Sequence, residues 1–296
     1  MSIPQTDLQA FLTQEAEKVR GTYYPIHTGW LRRKLIRKAR CTDLHPNPYD
    51  EICNPKIGPH GGILSQYEKQ FRAAGGSLNP MDYPRDGAAE PLIVQRTAPD
   101  GYMILNGHHR WIAASRTGVR ALRIEIVDLT LKSDVHRILQ KTKNTKRAVL
   151  DMDEVIILPG VDAAQKRQIT RIRKEHIRKG IPALLHYLGD RHYDIWVYTA
   201  GYYSTDDIRR LFKRFRMPVT GIVTGMGRKK FGGVGMVQEL SKLMETTYQS
   251  ATHIGQDLVF RTTVGQHGIE THDLAADPDT WSLRVMDIID VMEKKE

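Results

Sequence analysis

Residues 148–157 read AVLDMDEVII, an apolar run of strand character into which two carboxylates, Asp151 and Asp153, are set. Side chains at i and i+2 of a strand share a face, so the two acids are expected to emerge together where the strand ends. Buried side by side without a partner they would repel each other and lose hydration. A metal ion, a proton or a part in catalysis would offset that cost. The bland alternative is a solvated acidic turn after a strand.

Downstream, helical and strand patterns alternate. Val161 to Gly189 reads as one long basic helix with Ile169, Ile172, Ile177 and Leu184 on its apolar side, and residues 192–200 read as a buried strand ending VYTAG, with Thr199 at its tip. Ser204 to Phe215 is a helix with an acidic first turn. Residues 218–224 form a short strand followed by GMGRKKF, Gln238 to Thr247 a helix, and Ala251 to Phe260 a last strand that carries Asp257. The VLDMDEVI stretch resembles the first motif, hhhDxDx(T/V), of the haloacid dehalogenase (HAD) superfamily, and Thr199 resembles its second. That resemblance implies a Rossmann-like parallel sheet. Asp151 would accept a phosphoryl group, and Asp153 would protonate the leaving oxygen and later activate water. Thr199 would bind phosphate, Lys229 or Lys230 would neutralise charge, and Asp257 would join Asp151 and Asp153 in holding Mg²⁺. The fourth motif departs from the usual pair of acids, since Gly255 and Gln256 precede a single one. The spacing leaves no room for a large cap, only a minimal one.

The amino-terminal half has its own pattern. A helix over 6–20 and a basic helix over Trp30 to Ile36 precede a proline-rich loop over 42–51 and a helix from Ser65 to Ala74, and residues 80–89 read as irregular. Residues 91–96 and 102–105 form a hairpin across Asp100-Gly101, Asn106-Gly107-His108-His109-Arg110 opens a helix running to Thr117, and residues 119–128 form a third strand. Glycine lets the backbone approach a ligand, and a helix N-terminus favours an anion, so the turn is a candidate phosphate cradle. This region resembles the ParB/sulfiredoxin-like fold, whose signature is a G-x-x-R turn after a short hairpin. The NGHHR sequence is similar to the DGHHR of free-serine kinases, with Asn106 in place of the aspartate. The resemblance implies that Gly107, His108, His109 and Arg110 bind ATP or another nucleoside phosphate. It also implies that the Asp50-Glu51 pair supplies a catalytic base, Glu51.

The expected fold is thus α/β, with four parts. A helical extension covers 1–40, an α+β ParB/sulfiredoxin-like domain 41–131, a basic linker 132–147 and a HAD-like Rossmannoid domain with a parallel sheet 148–296. The net charge of +10 attracts polyanions. Its basic residues gather at 32–40, 141–147 and 166–179. Two cysteines, Cys41 and Cys53, and the lack of a secretory pattern at residues 1–20 lead to an expected cytoplasmic location with no membrane partner. The leading expectation is a Mg²⁺-dependent phosphomonoesterase fused to a nucleotide-binding domain, for which kinase activity is also in view. Its substrate would be phosphorylated, with nucleic-acid ends or nucleotides as the leading classes. The competing expectations are a nucleotide-switched DNA-binding regulator with an inactive second domain, and a small-molecule kinase.

Overall fold

The computed structural model describes residues 8–73, 90–158, 160–161, 169–225, 233–265, 268–275 and 277–294. The chain divides into two compact units, the first ending at Leu129 and the second beginning at Thr130.

In the first unit, α1 (Leu8–Val19), β1 (Tyr24–Pro25), α2 (Trp30–Leu35), β2 (Lys38–Arg40) and β3 (Leu44–His45) are followed by α3 (Gly61–Ala73). Then come β4 (Leu92–Ala98), β5 (Tyr102–Asn106), α4 (His108–Arg116) and β6 (Ala121–Ile126). The sheet runs β2-β6-β4-β5-β3, and β1 pairs with β4 off this path. The expected hairpin is present: β4 and β5 are antiparallel around Asp100 and Gly101, where Gly101 takes a φ of 69°. The core holds Leu44, Leu92, Val94 and Ile104 from the sheet, with Trp111 and Ile112 from α4 and Phe71 from α3. Buried Arg33 anchors α2, its Nε lying 3.2 Å from Asp128 Oδ2. The same carboxylate accepts the N–H groups of Thr28 and Gly29 at 2.8 and 3.0 Å.

The second unit contains α5 (Lys132–Leu139), β7 (Lys146–Asp151), α6 (Ile181–Asp190), β8 (Tyr193–Thr199), α7 (Thr205–Arg214) and β9 (Gly221–Thr224). It continues with α8 (Gly233–Thr247), β10 (Ser250–Ile254), β11 (Leu258–Thr263), β12 (Ile269–Asp273) and α9 (Trp281–Glu293). The sheet order is β12-β11-β10-β7-β8-β9. Strands β10, β7, β8 and β9 are mutually parallel, and β11 and β12 join antiparallel. Both faces are covered, as a parallel sheet requires. Leu150, Ile195 and Val197 pack with α6, α7 and α9 on one side. Trp196 and Val223 pack with Val135 and Leu139 of α5 and Met244 of α8 on the other.

The fold departs from the sequence expectations at three places. The stretch 132–147 is no linker, since it carries α5 and the start of β7 inside the second unit. No single helix spans 161–189: the described part holds short turns at Ile169–Arg171 and Lys174–His176 before α6 begins. Gly180, in the left-handed region at φ 81°, and Pro182 in the first turn set that start, because proline removes a donor that an earlier helix would need. The strand foreseen over 251–260 is two strands, β10 and β11, folded back at Gly255–Asp257. The stretch 80–89 lies outside the described residues.

Candidate functional site

Strand β7 ends at Asp151, and the backbone then closes a wide turn over Met152–Ile156 in which Ile157 N–H donates to Met152 C=O at 2.9 Å. Met152, Val155 and Ile156 are buried, so the apolar side chains pull the turn down onto the core and leave Asp153 and Glu154 on its outer side. Asp151 Oδ1 accepts the N–H groups of Asp153 and Glu154 at 2.7 and 2.8 Å. Asp151 and Asp153 therefore neighbour each other through this turn and not, as expected, through the pleat of a strand. Burial pushes the Asp151 carboxyl up, the two backbone N–H groups pull it down, and the charges of Asp153 and Glu154 raise it further. The net direction is upward.

Thr199 ends β8, the parallel neighbour of β7, and is buried. Its hydroxyl donates to Asp153 Oδ2 at 2.5 Å and accepts the Gly201 N–H at 3.0 Å. Asp151, Asp153 and Thr199 thus sit at the carboxyl end of the parallel strands. The β10–β11 turn with Asp257 is at the same end, because β10 runs parallel to β7 on its other side. Arg178, which sequence pattern did not single out, joins these turns. It is 6% exposed and donates from Nε to Val155 C=O at 2.8 Å and from Nη2 to Glu154 C=O at 3.2 Å. Its guanidinium lies 4.9 Å from the Trp281 ring centre, and Trp281 Nε1 donates to Gln256 C=O at 2.9 Å. Burial lowers the Arg178 pKa and the charge of Asp257 partly restores it. A cavity of about 790 Å³ lined by Leu158, Lys174, Ile177, Arg178, Pro182 and Phe215 opens beside this arginine. Lys229 and Lys230 lie outside the described residues. Oxygen donors are the right kind for Mg²⁺. Among the described residues, however, no three His, Cys, Asp or Glu side chains gather to hold a metal, so Asp257 does not close a set with Asp151 and Asp153.

The second candidate is the turn entering α4. Gly107 has a φ of 103°, and a Cβ there would meet Leu92 Cγ at 2.8 Å and Arg110 Nη2 at 3.0 Å, so the position suits glycine alone. His108 is buried: its Nε2 accepts the Asn47 N–H at 3.2 Å and its Nδ1 faces Asp50 Oδ2 at 3.4 Å. His109 Nε2 accepts the His60 N–H at 3.1 Å. Arg110, also buried, donates to the Glu90 backbone carbonyl and lies 3.4 Å from the Glu90 carboxylate. Of the acidic pair, Asp50 faces the turn, and Glu51 is exposed at the start of a short 3-10 turn that Asp50 caps. The expected base, Glu51, is therefore not the member of the pair brought to the histidines. Asx capping, an aspartate accepting the N–H two residues on, is the local signal that separates the two.

Residues 78–143 match the ParB N-terminal domain. That is less than a quarter of the chain, and within it the described residues include the β4–β5 hairpin, the Gly107–Arg110 turn, α4 and β6. Among solved structures, the chain is similar to the C-terminally truncated chromosome-partitioning protein ParB from Caulobacter crescentus, complexed to the centromeric parS site. The two are 24% identical over 35% of this chain and 46% of that one, with a TM-score of 0.22. The chain thus spans under half of that ParB. No curated protein matches. The resemblance of the second unit to HAD enzymes rests on its own residues, and neither match carries it. Among the described residues, no helix is long and apolar enough to cross a membrane.

Proposed function

We propose that the first unit is a ParB-like nucleotide-binding unit and that the chain engages nucleic acid under its control. This places the regulator reading ahead of the hydrolase reading. The observation that carries it is the left-handed Gly107 at the start of α4, inside the segment that matches the ParB N-terminal domain. A helix N-terminus approached by glycine turns backbone N–H groups and a partial positive charge toward phosphate oxygens. His108 and Arg110, held from below by Asn47, Asp50 and Glu90, would fix the shape of the turn more than they would reach the ligand. His109, half-buried at the rim, would meet it. The net charge of +10 supports a polyanionic partner. Calorimetric titration with nucleoside triphosphates tests the reading. Binding is expected, weakened about tenfold in His109→Ala at unchanged melting temperature. A protein with no measurable affinity for any nucleoside triphosphate rules it out.

A second reading, phosphoryl transfer in the second unit, is favoured by the hydroxyl of Thr199 donating to Asp153 beside the carboxylate of Asp151. With Oδ1 of Asp151 held by two backbone N–H groups, Oδ2 would attack phosphorus, and Asp153 would hand a proton to the leaving oxygen. Thr199 would orient Asp153. Magnesium, if bound by these oxygens, would neutralise phosphate charge. Turnover of an aryl phosphate in the presence of Mg²⁺ that disappears in Asp151→Asn supports this reading. Its absence rules this reading out.

A further inference from the structure

Between Glu17 and Asp43 the chain carries no acid, and its cations concentrate at Arg32, Arg33, Lys34, Arg37, Lys38 and Arg40. Only Arg33 of these is buried, spent on Asp128. The others are exposed, and α2 turns apolar side chains outward as well: Trp30 is 44% exposed, Leu31 62% and Leu35 70%. Arg40 meets Asp43, whereas Arg32, Lys34 and Lys38 form no salt bridge among the described residues. On the adjoining sheet edge, Lys38 of β2 lies directly opposite Arg123 of β6. The register sets two cationic residues side by side on that edge.

From this surface we infer that α2 and β2 form a docking face for single-stranded nucleic acid. The inference deepens the nucleic-acid partner proposed above by naming its form and its seat, and it does not depend on the Gly107 turn. The arrangement around α2 decides the kind of partner. At about 100° per residue, Lys34 falls between Trp30 and Leu31, and Leu31 and Leu35 fall between Lys34 and Arg32. Cations and apolar groups therefore alternate around the exposed side. A helix lying in a lipid interface needs them segregated onto opposite faces. Alternation matches a strand of nucleic acid, which offers phosphates to the cations and unstacked bases to Trp30 and the leucines. A duplex hides its bases and would leave those apolar side chains in water.

The test uses the full chain and a labelled mixed-sequence oligonucleotide, single-stranded and as the matched duplex, with anisotropy read across a salt series. The single strand is expected to bind more tightly than the duplex. The Arg32→Gln/Lys34→Gln/Lys38→Gln triple variant is expected to lose tenfold or more, and its salt slope should fall by about 2, since each single-strand phosphate contact adds ~0.7. Trp30→Ala should lose about fivefold or more for the single strand. All four substitutions are at exposed positions, and circular dichroism confirms that the variants fold. An unchanged affinity and slope in the triple variant overturns the inference. So does equal or tighter duplex binding, or binding to anionic phospholipid vesicles in place of the oligonucleotide. Titrating the same protein with a mononucleotide separates the two proposals: a chain that holds the strand but no mononucleotide keeps this one and removes the other.

Discussion

Asp151 is a carboxylate whose proton affinity rises on folding, because burial outweighs the two N–H donors that face it. A group with a raised folded pKa favours the native state while protonated, and that contribution is lost as pH rises through the folded value. Asp151→Asn keeps the amide-oxygen acceptor and removes the charge. Its melting temperature relative to the parent should therefore rise as pH increases from the ordinary carboxylate value near 3.8, then level off toward neutrality. A difference independent of pH would show that Asp151 is not strained. His253 works in the opposite direction. Burial and the neighbouring Arg147 push its pKa down from 6.5 to about 4, with the ring stacked 4.5 Å from Phe260. Between those values the unfolded chain binds the extra proton, so stability falls as pH drops from 6.5 to about 4. The loss is on the order of 3 kcal/mol at most. His253→Phe preserves the stacking and should flatten that limb of a thermal-melt pH series. The acids and Thr199 were legible in the sequence because Asp151 and Asp153 interrupt an apolar run and Thr199 closes a second one, in the order in which the motifs they resemble occur. Arg178 was not, since a basic residue in a basic run looks solvated until its guanidinium is seen against carbonyls.

Elements show where sequence pattern works and where it stops. The β4–β5 hairpin was readable from Asp100-Gly101 because that dipeptide supplies the positive φ the turn needs. The basic run before α6 misled, as period and charge looked helical while Ile157 pairs with Ile177 and Arg178 turns inward. The parallel sheet of the second unit depends on Trp196 of β8, fully buried, whose Nε1 donates to Tyr248 OH at 2.9 Å. Tyr248 in turn donates to Asp194 Oδ2 at 2.7 Å. Trp196→Ala should cost about 3 to 5 kcal/mol in denaturant unfolding, through the cavity and the lost hydrogen bond to Tyr248. Gly221 of β9 approaches the same ring so closely that an added Cβ would meet it at 2.2 Å. Gly221→Ala should cost about 1 to 3 kcal/mol. A neutral effect of either change would mean that β8 and β9 do not pack through this ring.

At the scale of the whole molecule, the two units have separate cores, one around Leu92, Ile104 and Trp111 and the other around Leu150, Val197 and Ile289. Unfolding should therefore depart from a single two-state transition. Calorimetry is expected to resolve two transitions, of which Trp196→Ala moves one and leaves the other in place. A single transition shifted as a whole would show that the units unfold together. The charged border strand β2 has one more effect, on the chain's dealings with its own kind. A sheet rim normally invites a stranger's backbone to zip on and extend the array. With Lys38 and Arg40 projecting from that rim, a second copy arriving edge-on would bring its own ammonium and guanidinium groups against the first. Mutual repulsion then protects the sheet from growing into a ribbon of copies, for as long as nothing acidic lies between them.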